Sequence, residues 1–433
     1  MFAVLRNMFK VPDLRKKLLY TILIILIFRI GSTIPVPFLQ FDVVKRVTLN
    51  HNNFFSYIDA FTGGAFSRVT IFSMSISPYI TASIVIQLLT FGLPALERLA
   101  REGIEGQKKL SKATRYFTVV LGLVQAITFW FLLRGGNMMF HEQVLAYRGG
   151  ISGFFAACVI VAVFTAGSAL VMWLGERINE KGIGNGVSVV LFAGILSRAP
   201  SAVGKVYSML TAGMSQACLG VVLIFLFVLI TAFTVFMTIA ERRIPIQYAQ
   251  RLVGRRMYGG QNSHIPIKVN IAGVMPIIFA SSFLAFFSLI KAFFDVEEKM
   301  WLGKVLGLLE HGTVIYSVLY FFLIIGFNYF YVSMQYNPIE IANNLRKNNG
   351  TIPGIRPGAQ TAEFLTKVMS KINLVGALFL GFIAILPMVI GVLLNVNIAL
   401  GGTTTLIVIG VALDTMKQIE SMTMMKQYKG FLE

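Results

Sequence analysis

Apolar runs of about 20 residues, enough for a helix to cross a bilayer, recur along the whole chain, and most of the charge falls between them. No other feature narrows the folding options so far. In hydrocarbon every backbone N–H and C=O must find its partner within the protein, so such runs become helices packed on one another. Length and polarity place ten of them, at 18–38, 61–90, 116–133, 151–174, 186–196, 219–240, 271–293, 313–334, 374–394 and 402–416. The predicted class is an all-α membrane protein. With 56% hydrophobic and 13% charged residues, the chain reads as one bundle with no soluble domain. Segment 1–17 is short and basic, and a full-length run follows it, so it reads as leading into a first span rather than as a cleavable signal.

One span looks broken. In 61–90 the first part is too short and too polar to cross, with Gly63, Gly64 and Arg68 inside it. A second part starts at Ser77–Pro78, a favourable helix opening because proline in the first turn forfeits no hydrogen bond. A half-length polar segment cannot face lipid; it is either buried in protein or lines a wet cavity. The alternative is an external loop followed by an ordinary helix. Runs 186–196 and 402–416 are also short and glycine-led, the first by GIGNG at 182–186. Interrupted segments at matching positions of two halves point to a functional midline. Five spans in each half, about 1–200 and 201–433, would enter the membrane from opposite sides, the arithmetic of an inverted repeat.

The positive-inside rule sets the orientation. Arg6, Lys10, Arg15, Lys16 and Lys17 precede the first span, and the loops after the second, sixth and eighth spans are basic, so both termini are expected in the cytoplasm. Two of these loops, 241–270 and 335–371, are long and mix aromatic and apolar residues with Arg242, Arg243, Arg255, Arg256 and Arg356. Neither has obvious secondary structure, and long loops in a compact protein are usually functional. Proline- and glycine-rich turns such as PGIRPG at 353–358 would project these arginines toward a polyanion or an acidic protein face. The competing reading is a simple anchor to anionic membrane lipid.

Several chemistries are missing from the sequence. The four histidines fall at no metal-ligand spacing, and Cys158 and Cys218 both lie in apolar runs, so neither a metal site nor a disulfide framework is expected. There is no P-loop, no GxSxG and no paired membrane carboxylate. Among ionisable residues within the spans only Arg29 and Asp414 stand out. An enzyme is a poor reading, and an ion-coupled secondary transporter with inverted repeats, the main alternative, lacks its coupling carboxylates. A passive scaffold for other membrane proteins would explain the loops but not the broken span. What the interrupted helices do carry is aliphatic: Ile76 and Ile80 one turn apart, Val187 and Leu191 at the same spacing, Ile278 after Pro276, and Ile407. Such residues could meet at a dry constriction that blocks ions by dewetting; taken singly, each also fits ordinary packing.

FRIGSTIPVP (28–37), FTGGAFSRVTIF (61–72), SPYITASIVIQLLT (77–90), MWLGERINEKGIGNGVS (172–188), ERRIPIQYAQRLVGRR (241–256), QNSHIPIKVNIAGVMPIIFASS (261–282) and PGIRPGAQTAEFL (353–365) together resemble the SecY family, the channel subunits of bacterial protein translocons. The resemblance runs through nearly the whole chain. It implies ten helices in two inverted five-helix halves, with a short plug half-helix at 61–72 that includes Phe61, Gly63, Gly64, Arg68 and Ile71. It implies a pore ring of Ile76, Ile80, Val187, Leu191, Ile278 and Ile407, where Val187 and Leu191 depart from the family's usual isoleucine. Spans two and seven, flanked by three and eight, would form a lateral gate, with Gln87, Gln125 and Asn270 as its polar cluster. No cofactor is implied. The implied partners are SecE and SecG subunits, the SecA motor, the ribosome, signal sequences and unfolded preproteins.

Overall fold

The computed structural model describes residues 11–40, 42, 44–45, 59, 62–134, 145, 150–248, 251–253, 256–258, 262–294, 307, 313–394 and 402–429. Helix α1 (Pro12–Gly31) opens on a proline and ends just before the IPVP breaker, so the first span is displaced toward the N-terminus from 18–38. The second part of the broken span 61–90 forms α2 (Ser77–Gly92), and beyond that span a further helix, α3 (Pro94–Arg101), follows across a 105° bend at the Leu93–Pro94 junction. Proline removes the donor that would continue α2, and the residue before it is pushed to extended geometry. Next come α4 (Ile104–Arg134), α5 (Gly150–Lys181), the half-length α6 (Gly186–Leu196), α7 (Ala199–Thr211) and α8 (Met214–Ile239). The second part of the bundle holds α9 (Met275–Phe294), α10 (Val314–Gln335), α11 (Pro338–Lys347), α12 (Ala359–Leu394) and α13 (Gly402–Lys429).

Six helical stretches among the described residues are long and apolar enough to cross a bilayer, and the bent α2–α3 pair makes a seventh. Helices α1 and α9, 20 residues each, and α13, 28 residues, reach about 30 Å or more at 1.5 Å per residue. Ten spans are consistent with that set. The lipid side is visible as apolar exposure: Leu19, Leu23 and Leu26 on α1, and Phe225, Val228 and Phe236 on α8 are all open.

Several helices run past their apolar segments. Helix α4 begins at Ile104, so Lys108, Lys109, Lys112 and Arg115 lie on its first turns rather than in a loop. Helix α12 begins at Ala359 and is 36 residues long, about 54 Å, so the last third of the expected loop 335–371 is helical. No proline interrupts either extension, and Lys, Gln, Glu and Leu favour helix in water as well as in lipid.

The two long loops are also structured. β1 (Glu241–Tyr248) pairs antiparallel with β4 (Asn262–Lys268) from Glu241↔Lys268 to Gln247↔Asn262, and β2 (Arg251–Val253) pairs with β3 (Arg256–Tyr258) toward the hairpin tip. β5 (Gly350–Thr351), from the other loop, adds to the free edge of β1, giving the order β4-β1-β5. The expectation of two separate loops without regular structure is therefore corrected. Alternation explains it: Ile244 and Ile246 are buried with exposed Pro245 between them. This face packs with Ile267, Ile352, Leu365, Val368, Met369 and Ile372, anchoring the sheet to the protruding part of α12.

Candidate functional site

One buried apolar cluster lies near the starts of α2, α6, α9 and α13. It contains Ile76, Leu191, Ile278 and Ile407, with half-buried Ile80 and Val187 packed against them, so all six proposed ring residues meet. Each is delivered by a helix that starts within the protein. Ile76 caps α2, and the Ile80 amide donates to its carbonyl at 3.0 Å. Val187 sits in the first turn of α6, where the Asn185 side chain accepts from its amide at 3.1 Å. Ile278 lies one turn into α9, and Ile407 is fully buried near the start of α13. Phe28, Phe72, Val171 and Val274 complete the packing, and the Phe28 and Phe72 rings stack at 5.7 Å.

The GIGNG turn places α6 at this point, and packing accounts for its glycines. Gly184 has φ +88°, and a side chain on Gly186 would run into the Gly175 carbonyl of α5. Gln418 of α13 accepts from the Gly184 amide at 2.7 Å, and Asn179 accepts from Gly186 at 2.7 Å. The helix's opening N–H groups are thus bonded inside the protein, as membrane depth requires.

The segment expected to form a plug is not a half-helix through residue 72. Asp59 and Thr62 are helical, but 63–76 runs as turns; Phe61 lies outside the described residues. Gly63 (φ +68°), Gly64 (φ +86°), Val69 (φ +48°) and Ser75 (φ +47°) take left-handed backbone conformations that break any helix. Hydroxyls offer the backbone other partners: Ser73 donates to the Ala65 carbonyl at 3.0 Å or to the Thr70 carbonyl at 2.6 Å, and Thr62 accepts from the Phe66 amide at 3.2 Å. The segment is pinned to the stretch after α1, where Val69 O accepts from Val36 N at 2.9 Å and Ile34 O from Ile71 N at 3.1 Å. Phe66 and Val69 pack with Phe129, Ile160 and Phe164 of α4 and α5, and Ile71 touches the ring cluster. Arg68 is exposed, away from that cluster.

Sequence reasoning missed the polar seat beneath this segment. Arg29 of α1 donates to the Ala193 carbonyl at 2.8 Å and contacts that of Gly194 at 3.3 Å, so a cation covers the negative C-terminal end of α6. Asp59 is almost fully buried and pairs with Arg198 at 3.0 Å, just beyond α6. Only the placement of Arg29 inside a span hinted at this; the partners are far apart in sequence.

On the opposite flank α9 packs against α2 and α4. Phe91, at the end of α2, meets Phe330 of α10 edge-on at 5.8 Å. The polar residues proposed for this seam are not joined to one another. Gln87 donates to Ser83 of its own helix at 3.3 Å, Gln125 is half-buried on α4, and buried Asn270 lies with its backbone against Gly376 of α12.

The arginines expected to dock partners stand on the three-stranded sheet and beside it. Arg242 and Arg243 are exposed on β1; Arg243 pairs with Glu241 at 2.8 Å, an exposed contact that contributes about 1 kcal/mol or less. Arg256 lies on tip strand β3, and Arg255 falls outside the described residues. Arg356 is exposed between Gly354 (φ +78°) and Gly358 (φ +108°), its carbonyl accepting from Thr361 at 2.9 Å. At the sheet's base, burial and then the charge of Lys268 hold the Lys417 ammonium below the usual lysine range. Asp414 opposes that shift and is exposed, close to the end of the run 402–416.

The SecY family model matches residues 70–416. A protein translocase subunit SecY from Streptomyces scabiei is 42% identical over 439 residues, covering all of both chains. A solved structure described as showing that the plug domain of the SecY protein stabilises the closed state of the translocation channel and maintains a membrane seal is similar with a TM-score of 0.65 and 17% identity. It covers 94% of this chain and 92% of its own. The channel described as Sec61 in the canine ribosome-channel complex is similar with a TM-score of 0.62 and 16% identity, over 94% of this chain and 92% of that one.

Proposed function

The chain belongs to the SecY family and is a protein-conducting membrane channel, not an enzyme; on that premise we propose which residues close it, open it and dock its partners. The channel passes secretory proteins across the membrane and releases membrane-protein helices sideways into lipid. Ile76, Ile80, Val187, Leu191, Ile278 and Ile407 form the closure, and the observation that carries this is their convergence in one cluster. A short apolar waist excludes ions because neither water nor charge is well solvated there, yet branched side chains can part for an extended polypeptide. The segment 62–72, with Gly63, Gly64, Arg68 and Ile71, is the plug; exposed Arg68 suits a wet external funnel.

The seam of α2 and α4 against α9 and α10 is the lateral gate. An apolar signal sequence intercalates there, replacing helix–helix contacts with its own, so opening needs only a higher affinity for the open state. Residues 1–200 and 201–433 act as the two halves. The three-stranded sheet with Arg242 and Arg243, the tip strand with Arg256 and the Arg356 turn are the docking face for the SecA motor and the ribosome, which supply the driving force. SecE and SecG complete the channel. Its place is the bacterial inner membrane with both termini in the cytoplasm, supported by the basic loops.

A gate test follows from the Phe91–Phe330 contact. In a background with the exposed Cys158 and Cys218 replaced by serine, Phe91→Cys with Phe330→Cys is bridged by a short cleavable thiol crosslinker. Preprotein transport into vesicles should fall at least about tenfold, a block of at least ~1.4 kcal/mol, and return when the linker is cleaved. Undiminished transport through the bridged protein would remove the gate from this seam.

A further inference from the structure

We propose that the buried Asp59–Arg198 ion pair is a latch that seats the plug on the C-terminal end of half-helix α6 and sets the threshold for its release. The inference rests on the plug reading above and names what holds that plug at rest.

Both carboxylate oxygens of Asp59 are engaged. One accepts from the Ser67 amide at 2.8 Å, within the plug, and the other receives Arg198 at 3.0 Å, from the α6–α7 junction. Its backbone carbonyl accepts from Gly64 at 3.1 Å and from the Thr62 hydroxyl at 3.3 Å. Asp59 thus gathers the first turns of the plug and ties them to α6 through one cation. The side chain of Asp59 is 2% exposed and that of Arg198 22%, so losing one partner leaves the other as an uncompensated, poorly solvated charge.

The backbone at this contact is fitted as closely. The Ser197 hydroxyl lies 3.2 Å from the Gly63 carbonyl and 2.7 Å from that of Gly194. A side chain on Gly63 would collide with the Gly194 carbonyl. Arg29 reaches the Ala193 and Gly194 carbonyls at the same helix end. The same eleven-residue helix carries Val187 and Leu191 of the ring, so plug seat and ring are the two ends of one rigid element.

The plug is strained where it leaves this seat. Val69 and Ser75 hold φ of +48° and +47°, unfavourable for any residue with a Cβ and most of all for β-branched valine. The buried Ser75 hydroxyl has no hydrogen-bond partner among the described residues. These positions favour departure, and the Asp59–Arg198 pair opposes it. Movement of α6 during opening would separate the pair, and the strained segment would then relax out of the pore.

The test measures resting ion conductance of the reconstituted channel with its partner subunits, alongside transport of a preprotein whose signal sequence is defective. Asp59→Asn and Arg198→Gln are each expected to raise both readouts about tenfold or more, since breaking a buried pair costs well over one decade in the closed-state equilibrium. The double variant should be no leakier than either single one, because each removes the same pair, and Arg198→Lys should stay near the unaltered channel. Deletion of 62–72 serves as the reference. Leak on deletion with silent single variants would overturn the latch alone. A silent deletion would overturn the plug reading and the latch with it. If either single variant fails to insert, the double variant, which leaves no unpaired buried charge, must still raise conductance measurably, and no change there would also overturn the latch. Independent, additive effects of Asp59→Asn and Arg198→Gln would show that the two act separately and would reject it.

Discussion

Ile80→Asn is expected to raise the resting ion conductance of the reconstituted channel by about tenfold or more, because an amide in a dry aliphatic constriction admits water where dewetting had excluded it. Ile278→Asn should act in the same direction, but the two differ in what else they disturb. Ile278 is 5% exposed and surrounded by the cluster, and removing a buried isoleucine side chain typically costs about 2–5 kcal/mol of stability. Ile80 is only half-buried, so its replacement separates leak from misfolding more cleanly. Both variants should also transport preproteins with weak signal sequences more readily, since the closed state loses part of its advantage over the open one. Single-channel recordings that stay tight for Ile80→Asn would remove this residue from the closure.

The second large effect is expected on the docking face. Charge reversal in Arg256→Glu with Arg356→Glu should cut motor-driven transport about a hundredfold, since placing like charges against an acidic partner face costs several kcal/mol. Membrane insertion and resting conductance should not change, because the sheet packs on the protruding part of α12 and not on the ring. The loss should also depend on salt, being greatest at low ionic strength. Vesicles supplied with motor and ATP that transported at the normal rate would show that these arginines are membrane anchors only.

Much of the bundle could be read from the chain because the bilayer imposes a single rule on it. Run 186–196 coincides with α6, since GIGNG and the polar residues after Leu196 punctuate it at both ends. Helix ends that project into water escaped that rule. Helices α4 and α12 continue well past the apolar runs, where helix propensity and packing on α3 or the sheet take over from hydropathy. The sheet was hidden for another reason. β1 shows alternation only at Ile244 and Ile246, and its partners lie beyond a hairpin and more than a hundred residues onward in β5.

The members of the aliphatic cluster were legible as residue type and helix position, though convergence of six side chains from four helices is a tertiary fact. The plug was legible as an interruption but not as a chain of turns, because the left-handed backbone of Val69 and Ser75 runs against their propensities. Asp59 and Arg198 gave no local signal: an ion pair 139 positions apart (198 − 59) has no signature in spacing.

The most direct measurement places a photoreactive side chain at position 80, at position 278, or at lipid-facing position 225 of α8, and stalls a tagged secretory chain halfway through transport. The account predicts adducts with the tagged chain from positions 80 and 278 and none from 225. Active transport with no adduct at 80 or 278 would contradict it, because the polypeptide would then cross somewhere other than the aliphatic cluster.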